Sequence, residues 1–133
     1  YTSDSNDYGD TWKGPSSWGD VSIQEHLVPL YEQYGVDVVF NGHIHVYERT
    51  WPLRAGQVDE DHGVVYVTTG GGGGHLEDFA PTRTWFTAQK YRGHHFCIVT
   101  ASGKTFELRA FDQDGKIIDF FTLERPVSGA MGE

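Results

Sequence analysis

The run Val36-Asp37-Val38-Val39-Phe40, followed at once by Asn41-Gly42-His43-Ile44-His45, constrains this chain more than any other stretch. The run is apolar, β-branched and entered directly from a helical pattern. It reads as a strand buried on both faces in the centre of an α/β sheet. The C-terminal end of such a strand is where α/β folds usually place ligands, and here it carries two imidazoles separated by Ile44. In an extended segment, residues two apart point the same way at roughly 6.5 to 7 Å between Cα atoms. At that spacing each ring can hold one ion of a pair whose members sit ~3.5–4 Å apart. Gly42 removes a side chain where the backbone must turn tightly beneath the ions. A shuffled chain of this composition shows G-H-x-H about once in twenty trials, so placement after the apolar strand carries the argument, not the bare motif.

The remaining elements follow from periodicity. Ser22-Ile23-Gln24-Glu25 has capping-box form, with Asp20 just before it. Apolar Ile23, Leu27, Leu30, Tyr31 and Tyr34 then keep helical spacing up to Gly35, which predicts a helix from Val21 to Tyr34. Pro29 bends it near the middle or starts a second helical turn. Val64 to Thr69 is a second buried strand and empties into Gly70–Gly74. From His94 the period is two: Phe96 with Ile98, then Phe106, Leu108 and Ala110, then Ile118, Phe120 and Thr122. Turns at Ala101-Ser102-Gly103 and Asp112–Gly115 make this an antiparallel meander. Tyr1 to Asp20 shows no period and reads as one long surface segment.

A chain of 133 residues can bury one core. Its 10 basic against 19 acidic residues give a net charge of −9, which lacks the basic footprint of a nucleic-acid binder or a polybasic membrane anchor. No stretch nears the ~18 apolar residues of a membrane span. Cys97, the single cysteine, builds no disulfide framework and reads as a small buried hydrophobe. No secretory leader stands at Tyr1, which is not a Met, so earlier processing is compatible with the sequence. One helix, two buried strands and a meander leave those strands without neighbours on both faces. Completion by further polypeptide is therefore expected, as the other half of a domain or as another chain.

Residues 36–50, VDVVFNGHIHVYERT, resemble the last metal-binding block of the calcineurin-like metallophosphoesterases, in the purple acid phosphatase branch. Residues 65–73 are similar to the strand and glycine loop that follow that block, and residues 114–119 to the branch's final strands. Tyr1-Thr2-Ser3 looks like the tail of the loop after the family's single His ligand. The resemblance runs from Tyr1 to Arg125. It implies an α/β (α+β) layered sandwich of the metallo-dependent phosphatase type. Residues 1–125 would be the C-terminal half of the catalytic domain and residues 126–133 a frayed tail.

The resemblance also implies two divalent or trivalent transition metals, Fe with Zn, Mn or Fe, with His43 and His45 each a ligand of one ion. The family's other ligands, an Asp, a G-D with a bridging Asp, a G-N-H and a single His, are absent from this sequence, as is the Tyr behind the purple colour. The reaction implied is hydrolysis of phosphate monoesters by metal-bound hydroxide without a protein nucleophile. No catalytic residue is assigned. Partners implied are a phosphate-ester substrate, the missing N-terminal half and a homodimeric copy. Secretion or a periplasmic location follows from the likeness alone. Two histidines leave both ions underligated, so the chain by itself is expected to bind metal weakly and to be inactive.

Other residues carry paired readings. Glu48 and Arg49 either orient the ligand loop or form a local ion pair. Asn6, Asp7 and Tyr8 stand where plant-type members place phosphate-facing histidines. His75 either reaches a substrate phosphate or is simply solvated. The glycine run lacks the G-K-[ST] ending of a P-loop; by resemblance it borders the metal cleft, by composition it is a flexible turn. His26, His62, His94 and His95 are expected bystanders, and Trp12, Trp18, Trp51 and Trp85 are expected in core or interface packing. Two rival functions remain: a phosphodiesterase or nucleotide pyrophosphatase on the same scaffold, and a non-catalytic β-rich interaction module in which both histidines are structural.

Overall fold

Asp20 opens the first helix, α1 (Val21–His26), by accepting the Ile23 amide hydrogen at 3.0 Å. The cap therefore sits ahead of the expected Ser22–Glu25 box, because Ser22 already lies inside the helix. The break comes at Leu27, and α2 (Val28–Gln33) carries Pro29 in its first turn, where no backbone donor is needed. Gly35 ends the pair at φ 63°. The helical stripe, however, is not a core face: Leu30 is 45% and Tyr34 76% exposed, while Val28 is buried and Tyr31 half-buried. The structure is a computed structural model that describes residues 1–3, 20–81 and 84–125.

Strands β1 (Val38–Asn41), β2 (Tyr47–Thr50), β5 (Val65–Thr69) and β6 (Thr87–Tyr91) make one mixed sheet in the order β1-β5-β2-β6. β1 and β5 run parallel, Val38 opposite Val65 and Asn41 opposite Thr68; β2 is antiparallel to both β5 and β6. Among the described residues the first apolar run is thus an edge strand, not the central one expected. Val38 and Val39 are half-buried and Phe40 is 44% exposed, with β5 the one strand paired to them among the described residues. The central position belongs to β5, whose Val65, Tyr66, Val67 and Thr68 are all buried. β6 was not legible as a strand, nor was the hairpin of β3 (Leu53–Arg54) and β4 (Gln57–Val58). That hairpin turns on Ala55 and Gly56, at φ 49° and 73°, a left-handed pair that an Ala does not advertise.

The core of this part gathers Val28, Leu53, Val64, Tyr66 and Phe86. Burial of Leu53 and Phe86, 1% and 0% exposed, stabilises by about 1.5–3 kcal/mol each. Tyr1 packs on it, its ring 5.3 Å from Tyr66 and 5.5 Å from Phe86. The first residues are therefore not surface, since Thr2 and Ser3 are buried, while residues 4–19 of the expected surface segment lie outside the described residues. Trp51 and Trp85 are each 44% exposed, so neither is a core residue. Trp12 and Trp18 lie outside the described residues.

The chain divides into two compact units between His94 and His95. The second is the predicted meander: β7 (His95–Ser102), β8 (Thr105–Asp112) and β9 (Ile117–Glu124), with Gly103 and Gly115 at φ 58° and 82° in the turns. Leu108 and Ala110 are fully buried on one face; Phe96 and Phe120, on the other, are half exposed. Cys97 is half-buried, short of the full burial expected.

Candidate metal site

The histidine block does not continue the extended strand. The Ile44 amide bonds the Gly42 carbonyl and the Val46 amide the Ile44 carbonyl, both at 2.9 Å, so two successive three-residue turns separate β1 from β2. His43 stands at the centre of the first with φ 71°, a conformation rare for a residue with a side chain and strained in a turn this tight. Such strain persists where the surroundings impose it, and it concentrates at ligand sites. Gly42 is not what permits the turn, because a side chain there would meet open space. The close approach is at Gly70, where a Cβ would fall 2.2 Å from the Ile44 carbonyl oxygen. The glycine that opens the run after β5 thus lets the chain pass directly beneath the histidine block.

His45 is held on several sides. Its Nδ1 lies 2.7 Å from the His75 carbonyl oxygen. A carbonyl only accepts, so Nδ1 carries a hydrogen, and in a neutral ring Nε2 then holds the lone pair. The His45 backbone amide donates to Glu77 Oε2 at 3.1 Å, and Gly74 lies against the ring. His43, exposed, lines a cleft of about 350 Å³ with Asn41, Tyr1, Tyr31, Tyr66 and Asp20. The buried Tyr66 hydroxyl there has no hydrogen-bond partner among the described residues, and burial raises its pKa.

Behind the block, Glu48 is fully buried. Its Oε1 accepts from the Ser3 hydroxyl at 2.6 Å and the Thr87 hydroxyl at 2.6 Å; its Oε2 accepts from the Ser3 amide at 2.8 Å and the Thr2 hydroxyl at 3.3 Å. Thr87 is in turn bonded to Thr84. One carboxylate thereby ties the start of the chain and the start of β6 to the strand leaving the histidines. Arg49, its neighbour on β2, projects to the opposite face and is half-buried.

No family model matches the sequence. Individual proteins do. A nucleotide pyrophosphatase/phosphodiesterase from Hordeum vulgare is 34% identical over 77% of this chain and 31% of its own length. A protein from Arabidopsis thaliana named probable inactive purple acid phosphatase 24 is 33% identical over 77% of this chain and 18% of its own length. In structure, a purple acid phosphatase from seeds of yellow lupin, Lupinus luteus, superposes with a TM-score of 0.82 and 30% identity, covering 96% of this chain and 23% of the lupin chain. This chain belongs to the purple acid phosphatase-like branch of the calcineurin-like phosphoesterases. Its fold is that of a partial α/β metallophosphatase, and it spans less than a third of these relatives' length.

Within this purple acid phosphatase-like chain, the other predicted residues distribute as follows. His75 contributes its backbone carbonyl to His45, and its own side chain is exposed. Asn6, Asp7 and Tyr8, and the tail 126–133, lie outside the described residues. His94 Nδ1 sits 3.3 Å from the Gly71 carbonyl, a contact to the glycine run. Asp59, Asp61 and His62 could in principle converge on an ion, but Asp59 Oδ1 already accepts the Asp61 and His62 amide hydrogens at 3.1 and 3.0 Å. The His62 amide above all lowers the Asp59 pKa, and the group is a turn cap. Gly74, Glu77 and Ser3 were not singled out from the sequence. The glycine run and the Tyr1–Ser3 likeness were the signals available for two of them.

Proposed function

We propose that His43 and His45 are metal ligands, one to each ion of a binuclear centre, in a phosphoesterase that hydrolyses phosphate monoesters. The observation that carries this reading is the clamped imidazole of His45, Nδ1 committed to a carbonyl and Nε2 turned to no such partner among the described residues, two residues from a His43 held at positive φ. That donor set fits a transition metal. When bound there, two such ions would supply Lewis-acid activation of water and charge neutralisation at the phosphoryl oxygens. The chain's own part is to present the rings. Gly70 allows the block to sit over β5, Glu48 fixes β2 behind it, and the cleft beside His43 accommodates an organic group next to the reacting centre.

Two histidines are too few for two ions, so the remaining donors come from polypeptide beyond these residues. The chain alone then binds zinc weakly and shows no turnover of p-nitrophenyl phosphate. Calorimetric titration with zinc tests this: weak binding, abolished in His43→Ala with His45→Ala, is expected. Tight binding untouched by both substitutions would remove the assignment. A phosphodiesterase or nucleotide pyrophosphatase activity is the second reading, favoured by the name of the barley relative. The names of the Arabidopsis relatives leave an inactive member as the third outcome. Among the described residues no helix is long and apolar enough to cross a membrane. Secretion is part of the proposal, on the plant relatives' likeness alone.

A further inference from the structure

We propose that the loop 74–77 is a clamp that sets both the tautomer and the bearing of the His45 ring, with Gly74 and Glu77 as positioning residues. A Cβ on Gly74 would lie 2.6 Å from His45 Cε1, 2.7 Å from Nδ1 and 2.9 Å from Nε2, so the bare backbone of Gly74 lies against the ring itself. Only glycine allows that approach. The His75 carbonyl then takes the Nδ1 hydrogen at 2.7 Å, and the Glu77 carboxylate takes the His45 amide hydrogen at 3.1 Å. Ring and backbone of one residue are gripped by one short loop.

The loop is braced in turn. Arg92 Nε lies 3.0 Å from the Glu77 carbonyl oxygen and 2.6 Å from Asp78 Oδ1, and Lys90 stands 4.8 Å over the Phe79 ring. These contacts fix the path of residues 77–79 from β6 and the residue after it. Within the glycine run after β5, Gly74 is thus the position shaped to His45, while Gly70 meets the Ile44 carbonyl and Gly72 and Gly73 have open space where a side chain would start. Fixing the hydrogen on Nδ1 leaves Nε2 as the nitrogen available to a ligand. That last consequence rests on the metal reading above; the clamp itself does not.

The test is two-bond nitrogen–proton correlation of the histidine rings in the nitrogen-15-labelled chain, at about pH 8 where imidazole is neutral. The wild type is expected to show His45 as the Nδ1–H form in several-fold excess, about what one net hydrogen bond supplies. Gly74→Ala should bring the two forms toward parity, with His62 unchanged as internal reference. Glu77→Gln, which keeps an acceptor, should hold the wild-type ratio, and Glu77→Ala should lower it. His45 found as the Nε2–H form overturns the proposal, as does a folded Gly74→Ala with the wild-type ratio. If Gly74→Ala does not fold, an unchanged ratio in Glu77→Ala overturns it. Zinc added to the wild type separates the two ideas: a response at His45 supports the metal reading, and none removes that reading while the tautomer result stands.

Discussion

In the meander, β8 pairs along its whole length with strands that adjoin it in sequence, and its buried side chains are Leu108 and Ala110. In the block from His43 to Thr50 the strand is half as long, and its side chains find partners far along the chain. His45 meets His75 across 30 residues, and Glu48 meets Thr2 across 46. One region is an apolar ladder closed locally; the other is a strained turn pinned by buried polar bonds. The contrast teaches where rigidity for chemistry comes from here. It comes from satisfied hydrogen bonds converging on a short segment, since a regular strand could not hold His43 at its φ of 71°.

The contrast breaks most sharply at Glu48. Glu48→Ala orphans the Ser3 amide and hydroxyl donors, and a loss of about 3–5 kcal/mol is expected, read by urea unfolding. Hydrogen exchange should rise at Tyr47–Thr50 more than at Thr105–Asp112; equal rises would erase the distinction. Leu108→Ala tests the other side. Its fully buried side chain predicts a loss of about 3 kcal/mol, with the exchange pattern reversed.

Smaller effects sharpen the picture. Asp20→Ala removes the α1 cap and should cost about 1 kcal/mol, visible as a lowered thermal midpoint with β2 exchange unmoved. Tyr66→Phe deletes the buried hydroxyl that lacks a partner among the described residues, so stability at neutral pH should change by less than about 1 kcal/mol. Its pH dependence carries the information. Burial raises the Tyr66 pKa above the ordinary 10.0, so the unfolded chain loses that proton first as pH rises. The folded state is thus favoured fully below pH 10.0 and loses ground above it, and Tyr66→Phe should flatten that alkaline loss in a pH series of unfolding midpoints.

Local chemistry written along the chain decided the meander, the helix break at Leu27 just ahead of Pro29, the stop at Gly35 and the existence of β5, because period two, a missing amide hydrogen and a left-handed glycine act within a few residues. The candidate histidines were legible for the same reason, as a motif at the end of an apolar run. Tertiary structure alone decided that β1 is an edge strand among the described residues, that Thr2 and Ser3 are buried, that Glu48 faces them, and that Gly74 rather than Gly42 makes room at the site. Those facts depend on which distant segments meet. A residue's neighbours across 30 or more positions leave no periodic trace in its own surroundings, so only the folded chain reveals them.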